Sequence, residues 1–212
     1  MKSIRPRRFW LLWLLLTELA VVVLLVPVDW IQQTRVHEIQ RVEQRLGPDA
    51  PHRAMHTAHG WFQASLIRSG AYSALHHFLI PSEAERQRSK GLEYLEDGWF
   101  AWVEERLDVL MQLIDQLYVR VALLRLWWPC LLLAGLPALW EGWVMRCMKR
   151  TNFSHVSPVI HHYSVRGVLF LTSGLGMALL APVPLEPMFM PAVLITACVL
   201  AGLALGHLQK RI

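Results

Sequence analysis

Four long apolar runs constrain this chain more than any other feature. Phe9 to Val26 is an 18-residue stretch whose only charge is Glu18. Val121 to Val144 is apolar except for Arg125, Glu141 and two glycines. Val168 to Val183 and Met188 to Gly206 carry no charge. A helix rises 1.5 Å per residue, so about 20 apolar residues cross a hydrocarbon core of about 30 Å. The first and third runs are slightly short, and flanking residues complete them. The expected fold is all-α, with four transmembrane helices and a helical extracytoplasmic segment between spans one and two.

Residues 1–8 are expected to form a basic N-terminus, 9–28 the first span, and 29–118 a helical segment that continues into the second span, 119–144. A basic loop covers 145–166. The third span is 167–183, the fourth 188–206, and the C-terminus 207–212. The first run also resembles the core of a secretory signal peptide. Its exit, Val26-Pro27-Val28-Asp29-Trp30, lacks a small-x-small cleavage pattern, so an uncleaved anchor is expected.

Lys and Arg favour the cytoplasmic flanks of membrane helices. Lys2, Arg5, Arg7 and Arg8 precede span one. Arg146, Lys149, Arg150 and Arg166 lie between spans two and three, and Lys210 and Arg211 follow span four. The turn Pro184-Leu185-Glu186-Pro187 has none. Both termini are therefore expected in the cytoplasm, with residues 29–120 outside. The pI of 9.4 then reflects membrane flanks, not a nucleic-acid surface. Segment 29–118 holds nine Lys or Arg against thirteen Asp or Glu, a net charge of −4. Direct nucleic-acid binding, which gathers basic residues on one face, is not expected. All three cysteines lie outside this segment, so it holds no disulfide.

The external segment has helical periodicity. Ile31, Val36, Ile39, Val42 and Leu46 share an apolar face, and Gly47-Pro48 stops that helix. A second stretch runs from His52 to Ile80, with Met55, Phe62, Leu66 and Leu79 as apolar contacts. Gly60 and Gly70 weaken it, so two short helices are an alternative. Pro81 breaks it. Ser82 with Glu85 forms a capping-box pattern. Beyond it, apolar residues recur at helical spacing from Leu92 to Val121. No proline falls between Pro81 and Pro129, so this helix is expected to enter span two directly, as a stalk. Its stripe would pack against the two preceding helices, or against another protein or another copy of the chain.

The candidate chemistry is sparse. His52, His56 and His59 share one helix face by their spacing. No Cys, Asp or Glu adjoins them at ligand spacing, so solvated histidines are expected and no metal or other cofactor is assigned. A zinc-binding or sensing role for the trio is kept as an alternative. Glu18 sits near the bilayer centre, where a charge costs about 2.5–3.5 kcal/mol on insertion scales. Its expected use is helix packing or assembly. A small transporter or ion-conducting protein using Glu18 and Arg125 is the other alternative. Gly174 with Ala178, and Gly202 with Gly206, have the four-residue spacing of close helix contacts. Seven of the ten tryptophans mark membrane boundaries. Trp99 and Trp102 are expected too far out for this belt, on the stalk. No Gly-x-x-x-x-Gly-Lys phosphate loop occurs. Ser173 and His207 would lie at opposite ends of the bilayer, and Glu104-Glu105 has no ligand set. A non-catalytic protein is expected.

One stretch carries a family resemblance. Trp143-Val144-Met145-Arg146-Cys147-Met148-Lys149-Arg150-Thr151-Asn152-Phe153 is followed by Ser157-Pro158-Val159-Ile160-His161-His162. This basic–aromatic loop, together with the early anchor and the external segment of about ninety residues, resembles the bacterial integrating conjugative element membrane proteins. The resemblance implies a multi-pass inner-membrane subunit of a conjugative, type IV secretion-like apparatus. It implies contacts with other transfer subunits, such as a coupling ATPase. Arg146, Lys149, Arg150 and Phe153 would be the cytoplasmic contact. No catalytic residue is carried over.

Overall fold

Proline and glycine set the corners of this chain. The computed structural model describes residues 5–80, 93–151 and 157–208, and among them every regular element is a helix. The Ser82/Glu85 pattern and Phe153 lie outside the described residues. Two units form by internal contact. One comprises Met1–Leu123 with Leu180–Pro184, the other Leu124–Leu179 with Leu185–Ile212.

In the first unit, α1 (Arg5–Leu25) ends just before Pro27, whose extended backbone leads into α2 (Val28–Leu46). The two helices are bent by 111°. Gly47, at a left-handed φ of 85°, stops α2 as expected, and its N–H closes on the Glu43 carbonyl. The buried face of α2 is Ile31, Thr34, Glu38 and Val42. Ile31 and Val42 match the expected stripe, whereas Val36 is exposed. Two polar residues take places in this face because Thr34 donates to a backbone carbonyl and Glu38 accepts from a buried arginine, Arg120.

The next helix, α3 (Asp49–Phe62), buries Ala50, Pro51, Ala54 and Ala58. Pro51 is tolerated because first-turn N–H groups have no helical partner. A π-helical turn, Gln63–Ile67, follows, closed by Arg68 N–H to the Gln63 carbonyl. Gly70, at φ 75°, then starts α4 (Ala71–Leu79). The stretch is therefore broken at Gly70 and not at Gly60, which lies inside α3. Ile80, Leu107 and Met111 form a small core, joined by Phe62, Leu66, Leu75 and Val103. Leu79, an expected contact, is exposed.

The long helix α5 (Glu93–Leu126) runs without a break into the stretch 119–144 expected as the second span, and the break falls inside that stretch. It stops at Leu126, and α6 (Trp128–Thr151) begins after Trp127. Pro129 explains the break. It lacks an N–H for the Arg125 carbonyl, and its ring would clash with that group in a continuous helix.

The second unit holds α6, α7 (Pro158–Leu180) and α8 (Phe189–Gly206). α6 and α8 pack along their length. Their contacts rise together, Gly135 to Cys198, Gly142 to Gly202 and Met145 to Gly206, so the two helices run the same way. His161 and Gly167 of α7 meet Ala204 and Leu200 of α8, so that pair is antiparallel. Helices α7 and α8 are each long and apolar enough to cross a membrane. The pairs α1/α2 and α5/α6 pass the same test only when each bent pair is taken together, giving two to four spans.

Candidate functional site

The chemistry of the first unit converges on the segment Ala181-Pro182-Val183-Pro184. Two of its four residues are prolines, so it is rich in acceptors and poor in donors. Its carbonyls also follow the C-terminal end of α7, where backbone acceptors have no helical partner. Side chains from α2 and α5 satisfy them. Trp30 Nε1 and Thr34 Oγ1 donate to the Pro182 carbonyl at 2.9 and 3.3 Å. Arg41 Nη1 donates to the Pro184 carbonyl at 3.0 Å. Arg120 donates from Nη1 to Ala181 O at 2.8 Å and from Nη2 to Val183 O at 2.7 Å.

The same guanidinium holds a buried carboxylate. Arg120 Nε lies 3.0 and 3.1 Å from the two Glu38 oxygens, and Nη2 lies 2.9 Å from Oε2. Gln116, one turn before Arg120, donates to Oε2 at 3.3 Å. Arg120 is 0% exposed and Glu38 4%. A charge so buried is stable only with a partner and satisfied hydrogen bonds. Here all three guanidinium nitrogens and both carboxylate oxygens are engaged. Beside the pair, Arg35 and Asp115 form a more exposed ion pair between the same two helices. The cluster is a clamp: α2 supplies the acid, α5 the base, and the proline turn the remaining acceptors.

Arg106, further up α5, makes a second attachment. Its Nη1 lies 3.1–3.4 Å from the carbonyls of Val23, Leu24 and Val26, the free acceptors at the end of α1. Its guanidinium also stands 5.8 Å from the Trp102 ring centroid.

In the second unit the site is a bare backbone crossing. A Cβ on Gly142 would overlap the Gly202 carbonyl, and one on Gly202 would overlap the Ala138 carbonyl. Gly206 approaches Met145 and the Gly142 carbonyl. A cleft of about 120 Å³ beside the crossing is lined by Ala138, Glu141, Gly142, Met145, Val199, Gly202 and Leu203.

The residues singled out from sequence fall differently. Gly202 and Gly206 are at the crossing. Around Gly174 there is nothing within 4 Å of where a Cβ would stand, so no close approach occurs there. Ala178, its partner in the expected pair, lies on the same helix, α7. Glu18 has a buried Oε2 without a hydrogen-bond partner, and Arg125 is exposed. His52, His56 and His59 lie on α3 away from its buried face, and His59 pairs with Gln63 at 3.0 Å. Among the described residues no three His, Cys, Asp or Glu side chains come together as a metal site. Arg146 stands 5.9 Å from the Trp143 ring centroid, Lys149 is half-buried, and Arg150 lies in the last turn of α6.

Sequence reasoning missed Glu38, Gln116 and Arg120. Their signal was a polar residue interrupting an apolar stripe on each helix. The pairing itself joins residues far apart in sequence.

A family model described as IncC plasmid conjugative DNA transfer protein DtrJ-like matches residues 29–211. The chain belongs to the DtrJ-like family. Its association with conjugative DNA transfer agrees with what the basic–aromatic stretch implied. The DtrJ-like match covers the clamp, the proline turn and the glycine crossing, and starts after the first apolar run. No curated protein and no solved structure matches the chain.

Proposed function

We propose that the chain is a non-catalytic inner-membrane subunit of a conjugative, type IV secretion-like DNA-transfer apparatus. It crosses the membrane four times, with both termini in the cytoplasm, and acts by helix packing and protein contact. The observation that carries this reading is the use of its buried polar groups. Glu38 and Arg120 spend their hydrogen-bonding capacity on each other and on the turn at 181–184. Such an arrangement fixes a shape and leaves neither group aimed at a substrate. The opposed directions of α7 and α8, and the shared direction of α6 and α8, are those that alternating spans two, three and four require. The residues 145–166, with Arg146, Lys149, Arg150 and Phe153, would meet a cytoplasmic partner such as a coupling ATPase.

In-cell crosslinking of donor cells, followed by purification in mild detergent, tests this. The expected result is co-purification of coupling ATPase or secretion-channel subunits. Replacing 145–166 by a neutral linker should abolish recovery of the ATPase. A homo-oligomer without transfer subunits, or unchanged donor transfer frequency after deletion of the gene, would contradict the proposal.

A further inference from the structure

The expected stalk would carry Trp99 and Trp102 away from the bilayer. The attachments of the first unit argue otherwise. Arg106 binds the carbonyls at the end of α1, where the chain leaves the first span. Arg120 binds the turn at 181–183, which joins the last two spans. Both anchor points lie at the outer membrane surface in the four-span reading, on which this inference rests. The 14 residues from Arg106 to Arg120 span about 21 Å at 1.5 Å per residue. A helix tied to one surface at two such points runs along it. Helix α2 agrees. It is bent by 111° from α1, so beside an upright span it is close to the membrane plane, and it reaches the same turn through Trp30, Thr34 and Arg41.

The faces of α5 fit this placement. At about 100° per residue, Trp102 lies about 60° from Trp99 and Arg106 about 20° from it. The tryptophans therefore share the face that reaches the end of α1. Glu104 and Asp108, about 140° and 180° from Trp99, are exposed on the far side. The two indoles stack at 5.3 Å and are 61% and 37% exposed. Trp30 is also exposed. Exposed stacked tryptophans are costly in water and favourable in the headgroup layer, where the ring is half-desolvated.

We propose that α2 and α5 lie along the outer leaflet, with Trp30, Trp99 and Trp102 in the lipid headgroup region. The occupant of this aromatic face is the bilayer itself.

Spin labels report this directly. In full-length protein with Cys130, Cys147 and Cys198 replaced by serine, single labels are placed at W99C, W102C and G98C and reconstituted into liposomes. Gly98 lies one turn before Trp102, keeps both indoles, and has nothing within 4 Å of a built Cβ. A label at L16C marks the interior of the first span. Collisions with oxygen, which concentrates in lipid, are compared with those of a water-soluble nickel chelate. Oxygen collisions are expected to outnumber nickel collisions at 98, 99 and 102, and by a wider margin at 16. Nickel-dominated collisions at 98, 99 and 102, with 16 deep in lipid, would overturn the inference and leave the first span intact. Few collisions with either reagent at the three sites would show a protein cover and overturn it equally. A water-exposed label at 16 would overturn the span and the inference together.

Discussion

The two units solve the same packing problem with opposite chemistry. In the first, α2 and α5 are joined through a buried Glu38–Arg120 pair and a turn of carbonyls. In the second, α6 and α8 are joined where Gly142 and Gly202 have no side chain at all. The surfaces of α6 and α8 that meet at the crossing are largely apolar, and burying apolar surface is non-directional, so it gives little preference for one partner. Close backbone approach, and the dispersion it allows, supplies the contact. Helices α2 and α5 have polar faces and a proline turn to bind, so directed hydrogen bonds set their register. The lesson is that position in the chain decides which residue types hold helices together. A glycine matters in one unit, and a buried charge in the other.

The largest effect should come from cutting the clamp. Arg120→Leu leaves the Glu38 carboxylate buried without a counter-charge and the Ala181 and Val183 carbonyls without a donor. Removing one partner of a buried pair costs about 3–5 kcal/mol. Thermal unfolding in detergent should show a matching decrease in stability. Combining it with Glu38→Leu should recover part of that decrease and not all, because the two carbonyls remain unpaired. Full recovery would show that the turn contributes nothing to the clamp.

The glycine crossing should be the next most sensitive. A Cβ on Gly135 would stand 3.2 Å from the Cys198 sulfur, within reach of a disulfide. With Cys130 and Cys147 replaced by serine, Gly135→Cys should therefore oxidise readily to a disulfide with Cys198. Adding Gly202→Leu forces a side chain against the Ala138 backbone, an overpacking cost of about 1–3 kcal/mol. It should suppress that crosslink. An unchanged crosslink yield would place the α6–α8 contact elsewhere.

The smallest effect sharpens the contrast from within the second unit. Gly174→Ala meets open space, so it should leave stability unchanged or raise it by about 0.5–1 kcal/mol through lower chain entropy. A marked destabilisation in the same unfolding assay would reveal a packing partner at that position.

These differences also mark how much of the molecule was legible in its sequence. Corners were legible because their causes are local. Gly47 and Gly70 adopt the left-handed backbone that stops or starts a helix. The break at Trp127 was also encoded locally, in Pro129, yet the unbroken apolar stripe of α5 argued for continuity. Gly202 and Gly206 carried a spacing signal that matches the crossing. Gly174 with Ala178 has the same spacing but no close contact at Gly174, because spacing says nothing about which face meets a partner. The clamp was illegible for a different reason. Glu38 is one of three carboxylates on α2, and only the fold brings it to Arg120 and Arg120 to the turn at 181–183. The conjugative character came from the resemblance of the basic–aromatic stretch and is matched by the DtrJ-like family. No side chain announced it.

The most direct test of the account is donor transfer frequency with Arg120→Leu in place of the wild-type chain, read beside the amount of folded protein in the membrane. The account predicts that transfer falls together with folded protein, and that both return in part with the added Glu38→Leu change. Abolished transfer with the folded chain still at wild-type level would contradict it, because Arg120 would then serve chemistry beyond the clamp.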